Sequence, residues 1–264
     1  MRIATWNVNS LKARQERVEE WLAYARPDVL CLQETKLSDQ TFPHLAFSAL
    51  GYESVHHGQG QWNGVAILSR VGITDPTNGF DESRVDPYEG DARIIAATCA
   101  GVRVISVYVP NGREVGTDFY DRKLAWLDAF HDWLTATASP DQDLVVLGDF
   151  NVAPEDRDVW SPKAFVGATH VSEPERAAVA KLGDWGLVDT FRRQYPDDDG
   201  LYTYWDYRGG AFHQHRGMRI DLVLATEPLA RRTEWAVVDR NARKGKQPSD
   251  HAPVITDFAN GDRS

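Results

Sequence analysis

The chain has 264 residues, 42% hydrophobic and 26% charged, which suits one large α/β domain with its own core and needs no disulfide or metal staple. No run approaches the ~18 apolar residues of a membrane span, and the opening MRIATWNVNS lacks the apolar centre of a signal peptide. A formal net charge of −10 argues on average against a phosphate-binding surface, but a site holding a divalent cation must concentrate carboxylates, and basic residues do cluster, at Arg208, Arg216 and Arg219 and at Arg240, Arg243, Lys244 and Lys246.

Ile3 to Val8 reads as a short first strand. Ser10 is placed to cap a helix to about Tyr24, with Leu11, Val18, Trp21 and Leu22 on one face and Pro27 beyond its end. Asp28 to Leu32 reads as a buried strand that delivers Gln33 and Glu34 at its C-terminal end. Gly64 to Ser69 is another, and Arg93 to Thr98 pairs with Val102 to Val109 through a turn at Ala100-Gly101. Asp118 is expected to cap a second helix to about Leu134, with Leu124, Leu127, His131 and Leu134 at helical spacing. Leu144 to Leu147 is an apolar strand feeding Gly148-Asp149-Phe150-Asn151. Ser172 and Glu175 form a capping box, with Pro174 in the first turn, for a helix to about Trp185 that stops at Gly186. Ile220 to Ala225, Trp235 to Val238 and Pro253 to Phe258 complete the strands, and Asp197-Asp198-Asp199-Gly200 reads as an exposed turn. The layout is mixed α/β, and no linker or composition shift divides residues 1–264. Cys31 and Cys99 lie inside apolar strand-like runs, the usage of a reduced, cytoplasmic protein, with a monomer as the default state.

Polar residues recur at strand ends: Asn7, Glu34, Tyr108, Asp149 with Asn151, Asp221, and Asp250 with His251. Open α/β sheets bind ligands where strand ends face one crevice. Carboxylates gathered there repel one another and call for a cation, and hard oxygen donors select Mg²⁺, Mn²⁺ or Ca²⁺ over Zn²⁺. There is no His-x-x-x-His and no cysteine cluster to suggest zinc.

Several motifs occur in a fixed order. They are Thr5-Trp6-Asn7-Val8-Asn9, Leu32-Gln33-Glu34-Thr35-Lys36, Asn63-Gly64-Val65-Ala66-Ile67-Leu68, Tyr108-Val109-Pro110-Asn111-Gly112, Gly148-Asp149-Phe150-Asn151, Trp185 to Arg192 (WGLVDTFR), Arg219-Ile220-Asp221 and Pro248 to Pro253 (PSDHAP). The set, spanning residues 1 to about 258, resembles the exonuclease III family of apurinic/apyrimidinic endonucleases, within the wider endonuclease/exonuclease/phosphatase superfamily.

The resemblance implies a four-layer α/β sandwich, two mixed β-sheets face to face with helices outside, as in DNase I. It implies a Mg²⁺-dependent hydrolase, with Mn²⁺ able to substitute, that incises duplex DNA 5′ to abasic sites and leaves a 3′-hydroxyl. Exonuclease and 3′-phosphatase activity at damaged 3′ ends would accompany this in base excision repair. Glu34 would be the principal metal ligand, with Asn7, Asp250 and in some arrangements Asp149 and Asn151 contributing. Asp149 would position or deprotonate the attacking water and Asn151 would hold it or the phosphate. His251, oriented by Asp221, would stabilise developing negative charge, and Tyr108 would sit against the scissile phosphate. Asn111 and Arg113 lie where relatives touch the DNA strand, while Tyr204, Met218 and Ile220, with Trp205 adjacent, stand at the abasic-sugar pocket. Met218 departs from a pocket walled by Trp, and Arg113 to Thr117 is shorter than in some relatives; both bear on the balance of incision and exonuclease. Two other readings are a phosphoesterase of the same superfamily acting on a lipid head group, inositol phosphate or RNA, and a non-enzymatic nucleic-acid binder.

Overall fold

The computed structural model describes residues 1–80 and 86–260. In chain order its main elements are β1 (Arg2–Asn7), α1 (Leu11–Ala25), β2 (Val29–Gln33), α2 (His44–Ala49), β3 (Glu53–His57), β4 (Val65–Ser69), β5 (Thr74–Asn78), β6 (Ile94–Cys99), β7 (Val102–Tyr108), α3 (Asp118–Thr137), β8 (Leu144–Asp149), α4 (Glu173–Trp185), β9 (Leu187–Asp189), α5 (Thr190–Gln194), β10 (Asp221–Thr226), α6 (Glu227–Ala230), β11 (Thr233–Val238) and β12 (Val254–Phe258).

The strands form two six-stranded sheets, ordered β11-β12-β1-β2-β4-β3 and β5-β6-β7-β8-β10-β9. Each has one parallel pair at its middle, β1 with β2 across α1 and β7 with β8 across α3. A parallel pair needs such a crossover, whereas the antiparallel neighbours close with shorter links. The C-terminal ends of the four parallel strands therefore meet the N-terminal ends of their antiparallel neighbours β10 and β12 at one edge of the molecule. In register, Asp149 faces Tyr108 on one side and Asp221 on the other.

Alternation along the strands supplies two faces each, and both are buried. Ile3, Cys31, Ile67 and Val254 of the first sheet pack against Ala97, Val104, Leu147 and Val223 of the second, making the inter-sheet core. The outer face of the first sheet (Trp6, Leu30, Leu32) takes Val18, Trp21 and Leu22 of α1. That of the second (Ile105, Val107, Val146) takes Trp126, Phe130 and Leu134 of α3 and Leu182 of α4. This is the four-layer sandwich.

The capping box of α4 forms as expected, with Gly186 at φ 124° ending the helix. Ala100 and Gly101 both adopt positive φ, the geometry of a two-residue hairpin turn. Cys31 and Cys99 are buried free thiols. Ser10, expected as a side-chain cap, makes no cap bond at φ 88°. The orphan N–H groups of Ser10 and Leu11 go instead to the carbonyls of Glu34 (2.7 Å) and Thr35 (2.9 Å), so the next strand end caps α1. Asp118 is not the cap of α3 either; Thr117 holds that place without a side-chain bond. The buried stripe of α3 is Tyr120, Lys123, Trp126, Leu127, Phe130, Trp133 and Leu134; Leu124 and His131 fall on its flank. The four-residue series chosen from Leu and His alone missed the aromatic residues and the lysine that turn inward. Strands β3, β5 and β9 were not expected: β5 is an exposed edge carrying Pro76, and β9 has only three residues. Among the described residues no helix is long and apolar enough to cross a membrane.

Candidate active site

Two sheets contribute one cluster. Asn7 ends β1, Glu34 follows β2, Tyr108 ends β7, Asp149 ends β8 and Asp221 opens β10. Gly148 is what allows β7 and β8 to approach here: a Cβ on it would lie 1.9 Å from the Val107 carbonyl oxygen. Asn9, Ser10, Glu34, Lys36 and Asn151 all adopt positive φ, and strained backbone of this kind gathers at functional sites.

Asn7 joins the sheets. Its Nδ2 donates to Glu34 Oε1 (2.9 Å) and to Asp149 Oδ2 (2.9 Å). Its Oδ1 accepts from the Asn9 N–H (2.9 Å), which fixes the amide orientation. Asn7 was expected as a metal ligand; its Oδ1 accepts this one bond and keeps a lone pair, while its nitrogen bridges the two carboxylates. Asn151 is likewise a donor: Nδ2 reaches Val109 O (2.9 Å) and Asp149 Oδ2 (3.3 Å), while its Oδ1 accepts from Asn111 Nδ2 (3.2 Å). The Asn151 N–H also holds Asp149 Oδ1 (2.9 Å).

His251 Nδ1 donates to Asp221 Oδ2 (2.7 Å), and its Nε2 stands 3.8 Å from Asp149 Oδ2, a separation at which one oxygen can hydrogen-bond both. Burial alone would lower the imidazole, but Asp221 and Asp149 raise it to about 10, so it is held as imidazolium. Asp149 is pushed up to about 7, by burial first, against the pull of His251. Tyr108 is driven well above its ordinary value by burial and by the charges of Glu34 and Asp149, which keeps its hydroxyl a donor. Ser249 fixes this loop, donating to Asn7 O (2.6 Å) and accepting from the His251 N–H (3.2 Å).

Beside this triad lies an all-oxygen cradle. Burial would raise the Glu34 carboxyl, but the Lys36 ammonium and the Asn7 amide hold it below the usual range. Lys36 Nζ sits between Glu34 Oε2 (3.0 Å) and Asn9 Oδ1 (2.6 Å), and Asn9 Nδ2 reaches Asp250 Oδ1 (3.1 Å). An ammonium nested among these oxygens marks where positive charge is favoured, and donors of this type fit a hard divalent cation. Asp149, Asp221 and His251 also offer three ligand atoms within 4.8 Å of one another. There, however, the Asp221 oxygen is already committed to a protonated imidazole, which a cation would have to displace. Glu34 and Asp250, with the amide oxygens of Asn7 and Asn9, are groups that could hold a cation without displacing that imidazole.

Tyr204, Met218 and Ile220 come together with Val159 and Ala153 in one apolar cluster, and the Tyr204 ring lies 4.9 Å from that of His251. Trp205 does not join them. It is fully buried, packed edge-on against Phe212 at 5.1 Å, and supports the wall from behind; its assignment to DNA contact is corrected. Alternation explains this, since neighbours on an extended segment face opposite ways. Asn111 and Arg113 are exposed at the rim, with the Arg113 guanidinium 3.6 Å over the Phe119 ring. Two members of the basic clusters are internal: Arg219 pairs with Asp158 (2.7 Å) and Asp189 (2.6 Å), and Arg243 donates to the Ser249 and Trp205 carbonyls.

The sequence reading missed Asn9 and Lys36, although both stand inside the quoted motifs. It also missed His170, whose Nδ1 donates to Asn151 O (2.5 Å); burial and then Lys123 push it down to about 4, so it is neutral.

A fold with this site defines a metal-dependent phosphoesterase class, and comparison with known proteins agrees. The endonuclease/exonuclease/phosphatase family matches over residues 4–251, and the chain belongs to that family as a hydrolase of the nuclease kind. It is similar to exodeoxyribonuclease III of Haemophilus influenzae, 32% identical over 270 residues, covering 98% of this chain and 100% of that protein. It is similar in structure to an AP endonuclease from Archaeoglobus fulgidus, with TM-score 0.94 and 38% identity over 98% of this chain and 100% of that one. A 3′ phosphatase from Neisseria bound to a product DNA hairpin gives TM-score 0.92 and 39% identity over 98% and 99% of the two chains.

Proposed function

We propose that the chain is a Mg²⁺-dependent DNA-repair phosphodiesterase of the exonuclease III type. It incises duplex DNA 5′ to an abasic site and leaves a 3′-hydroxyl, with 3′→5′ exonuclease and 3′-phosphatase activity at the same centre. The observation that carries this reading is the placement of an ionisable Asp149 opposite an imidazolium at 3.8 Å, next to the Glu34 cradle. Asp149, once ionised, takes a proton from the attacking water, and Asn151 fixes its carboxylate. His251, kept charged by Asp221, and the Tyr108 hydroxyl donate to phosphate oxygens as negative charge builds. Glu34 and Asp250, with the amide oxygens of Asn7 and Asn9, would hold the Mg²⁺, which when bound neutralises phosphate charge and stabilises the departing 3′-oxygen. Tyr204, Met218 and Ile220 offer the base-less sugar an apolar wall beside His251. Asn111 and Arg113 reach the strand at the rim.

A duplex oligonucleotide carrying one tetrahydrofuran abasic analogue tests the reading. Nicking 5′ to the analogue with Mg²⁺, abolished by EDTA, is expected. Hydrolysis of small phosphoesters alone, or binding without turnover, would replace it with one of the other two readings.

A further inference from the structure

Lys123 and Glu175 are both completely buried, with an ion pair between Lys123 Nζ and Glu175 Oε1, and neither side chain reaches the reacting groups. A buried pair of this kind is a poor source of stability, because desolvation of two charges offsets their attraction. Its hydrogen bonds show what else it does. The other donors of the ammonium go to the backbone carbonyls of Asn151 (2.7 Å) and Asn111 (3.3 Å). The carboxylate accepts from Thr169 Oγ1 (2.8 Å), from the His170 N–H (3.0 Å) and from the Ser172 N–H (3.2 Å).

Three separate stretches are thus tied to one pair: the turn after β7 bearing Asn111, the turn after β8 bearing Asn151, and the approach to α4 bearing His170. Gly112 lets the first pass over the lysine, since a Cβ there would lie 2.7 Å from Lys123 Cδ. Asn151 itself sits at φ 49° and needs outside support to stay there. Its N–H and Nδ2, together with Asn7 Nδ2, hold the Asp149 carboxylate.

We infer that the Lys123–Glu175 pair is a positioning device for the hydrolytic step, setting the Asn151 turn and through it the Asp149 carboxylate. This rests on the role proposed above for Asn151 and Asp149. The sequence hides the device, because Lys123 reads as a helix-surface lysine and Glu175 as a capping-box residue, which it also is.

The double variant Lys123→Met/Glu175→Gln tests it. Gln keeps one oxygen, which at the Oε1 position still accepts from Thr169 and His170 while the Ser172 bonds to Oε2 are lost, and Met keeps the packing of α3, so the fold is expected to survive while the Asn151 and Asn111 carbonyls lose their donor. On abasic duplex with Mg²⁺, kcat should fall about 10- to 100-fold, as for a small misplacement of reacting groups. KM should rise by less than kcat falls, because at the strand-binding rim only the Asn111 carbonyl loses a donor, a bond of 3.3 Å, while the Asn111 side chain keeps its bond to Asn151. A folded double variant with wild-type kcat, or one that loses KM alone, overturns the inference. Should the double variant not fold, Glu175→Gln carries the test with the same thresholds, since it removes the charge that anchors the Lys123 ammonium and keeps the Oε1 acceptor for Thr169 and His170. Asn151→Ala is run alongside. If it turns over like the wild type, the site reading itself fails; if it is slow while the pair variant is not, only the positioning role fails.

Discussion

Asp149 is where the two halves of the site meet: its Oδ2 takes Asn7 from one sheet and faces His251, while Oδ1 is held by its own turn. Glu34 meets the opposite demand. It must stay ionised to draw a cation, and Lys36 and Asn7 hold it so. Glu34→Gln removes that charge and should raise the Mg²⁺ concentration for half-maximal cleavage by at least about 10-fold, the scale set by losing one attraction of about 1.4 kcal/mol. An unchanged Mg²⁺ requirement would move the cation elsewhere. Further from the centre, His56 hydrogen-bonds Thr35 Oγ1 (2.8 Å) and Asp39 Oδ1 (2.8 Å), behind the Glu34 turn. Burial, the largest cause, pushes it down to about 4 against Asp39. The unfolded chain, with an ordinary histidine, takes up its proton first. Stability is therefore complete above about pH 6.5 and declines towards pH 4, by up to about 3 kcal/mol. Urea unfolding at pH 7.5 and 4.5 should show this loss shrinking in His56→Gln; equal losses in the two proteins would refute it. The charged and imidazole residues of the centre were legible in the sequence because each sits in a short motif at a strand end. The direction in which the Asn7 and Asn151 amides point was not, since it depends on partners such as Asn9 and Asn111 brought in by folding.

At the level of elements, the segment entering β10 carries the apolar wall and Asp221 together. Its rigidity comes from Arg219, whose guanidinium is buried between Asp158 and Asp189 while its neighbours Met218 and Ile220 face the other way. Arg192 shares Asp158 (2.7 Å). Arg219→Met leaves two carboxylates without their main partner and should destabilise the protein by about 3 kcal/mol. A loss below about 1 kcal/mol in urea titration would show that Arg192 alone suffices. The sequence groups Arg219 with Arg208 and Arg216 as a basic cluster and does not show its burial, because proximity in the chain says nothing of it. Elements with strong local signals, α4 above all, were legible nearly to the residue. The α3 stripe was not, because a buried lysine makes sense only once Glu175 is beside it.

Across the whole molecule the net charge of −10 coexists with exposed basic residues, Arg240, Lys244 and Lys246, in the segment that leads to Asp250 and His251. If DNA runs over this segment, log K falls linearly with log salt, and Lys244→Ala/Lys246→Ala should flatten the slope by about 2, roughly one unit for each phosphate that a lysine no longer neutralises. An unaltered slope would place the strand elsewhere. The sandwich itself was read from motif order; the apolar periodicity showed strands and helices but not which strands pair, because partners such as β1 and β12 lie at opposite ends of the chain.

Groups from both sheets are held to act as one hydrolytic unit, and everything proposed for the centre depends on it. Single-turnover cleavage of an abasic duplex by Asp149→Asn, His251→Ala and the double variant tests this most directly. Each single variant should be slower by at least about 10²-fold, and the double variant about as slow as the worse single, because residues acting as a unit are not additive. Losses that multiply, or wild-type rates in either single variant, would contradict it.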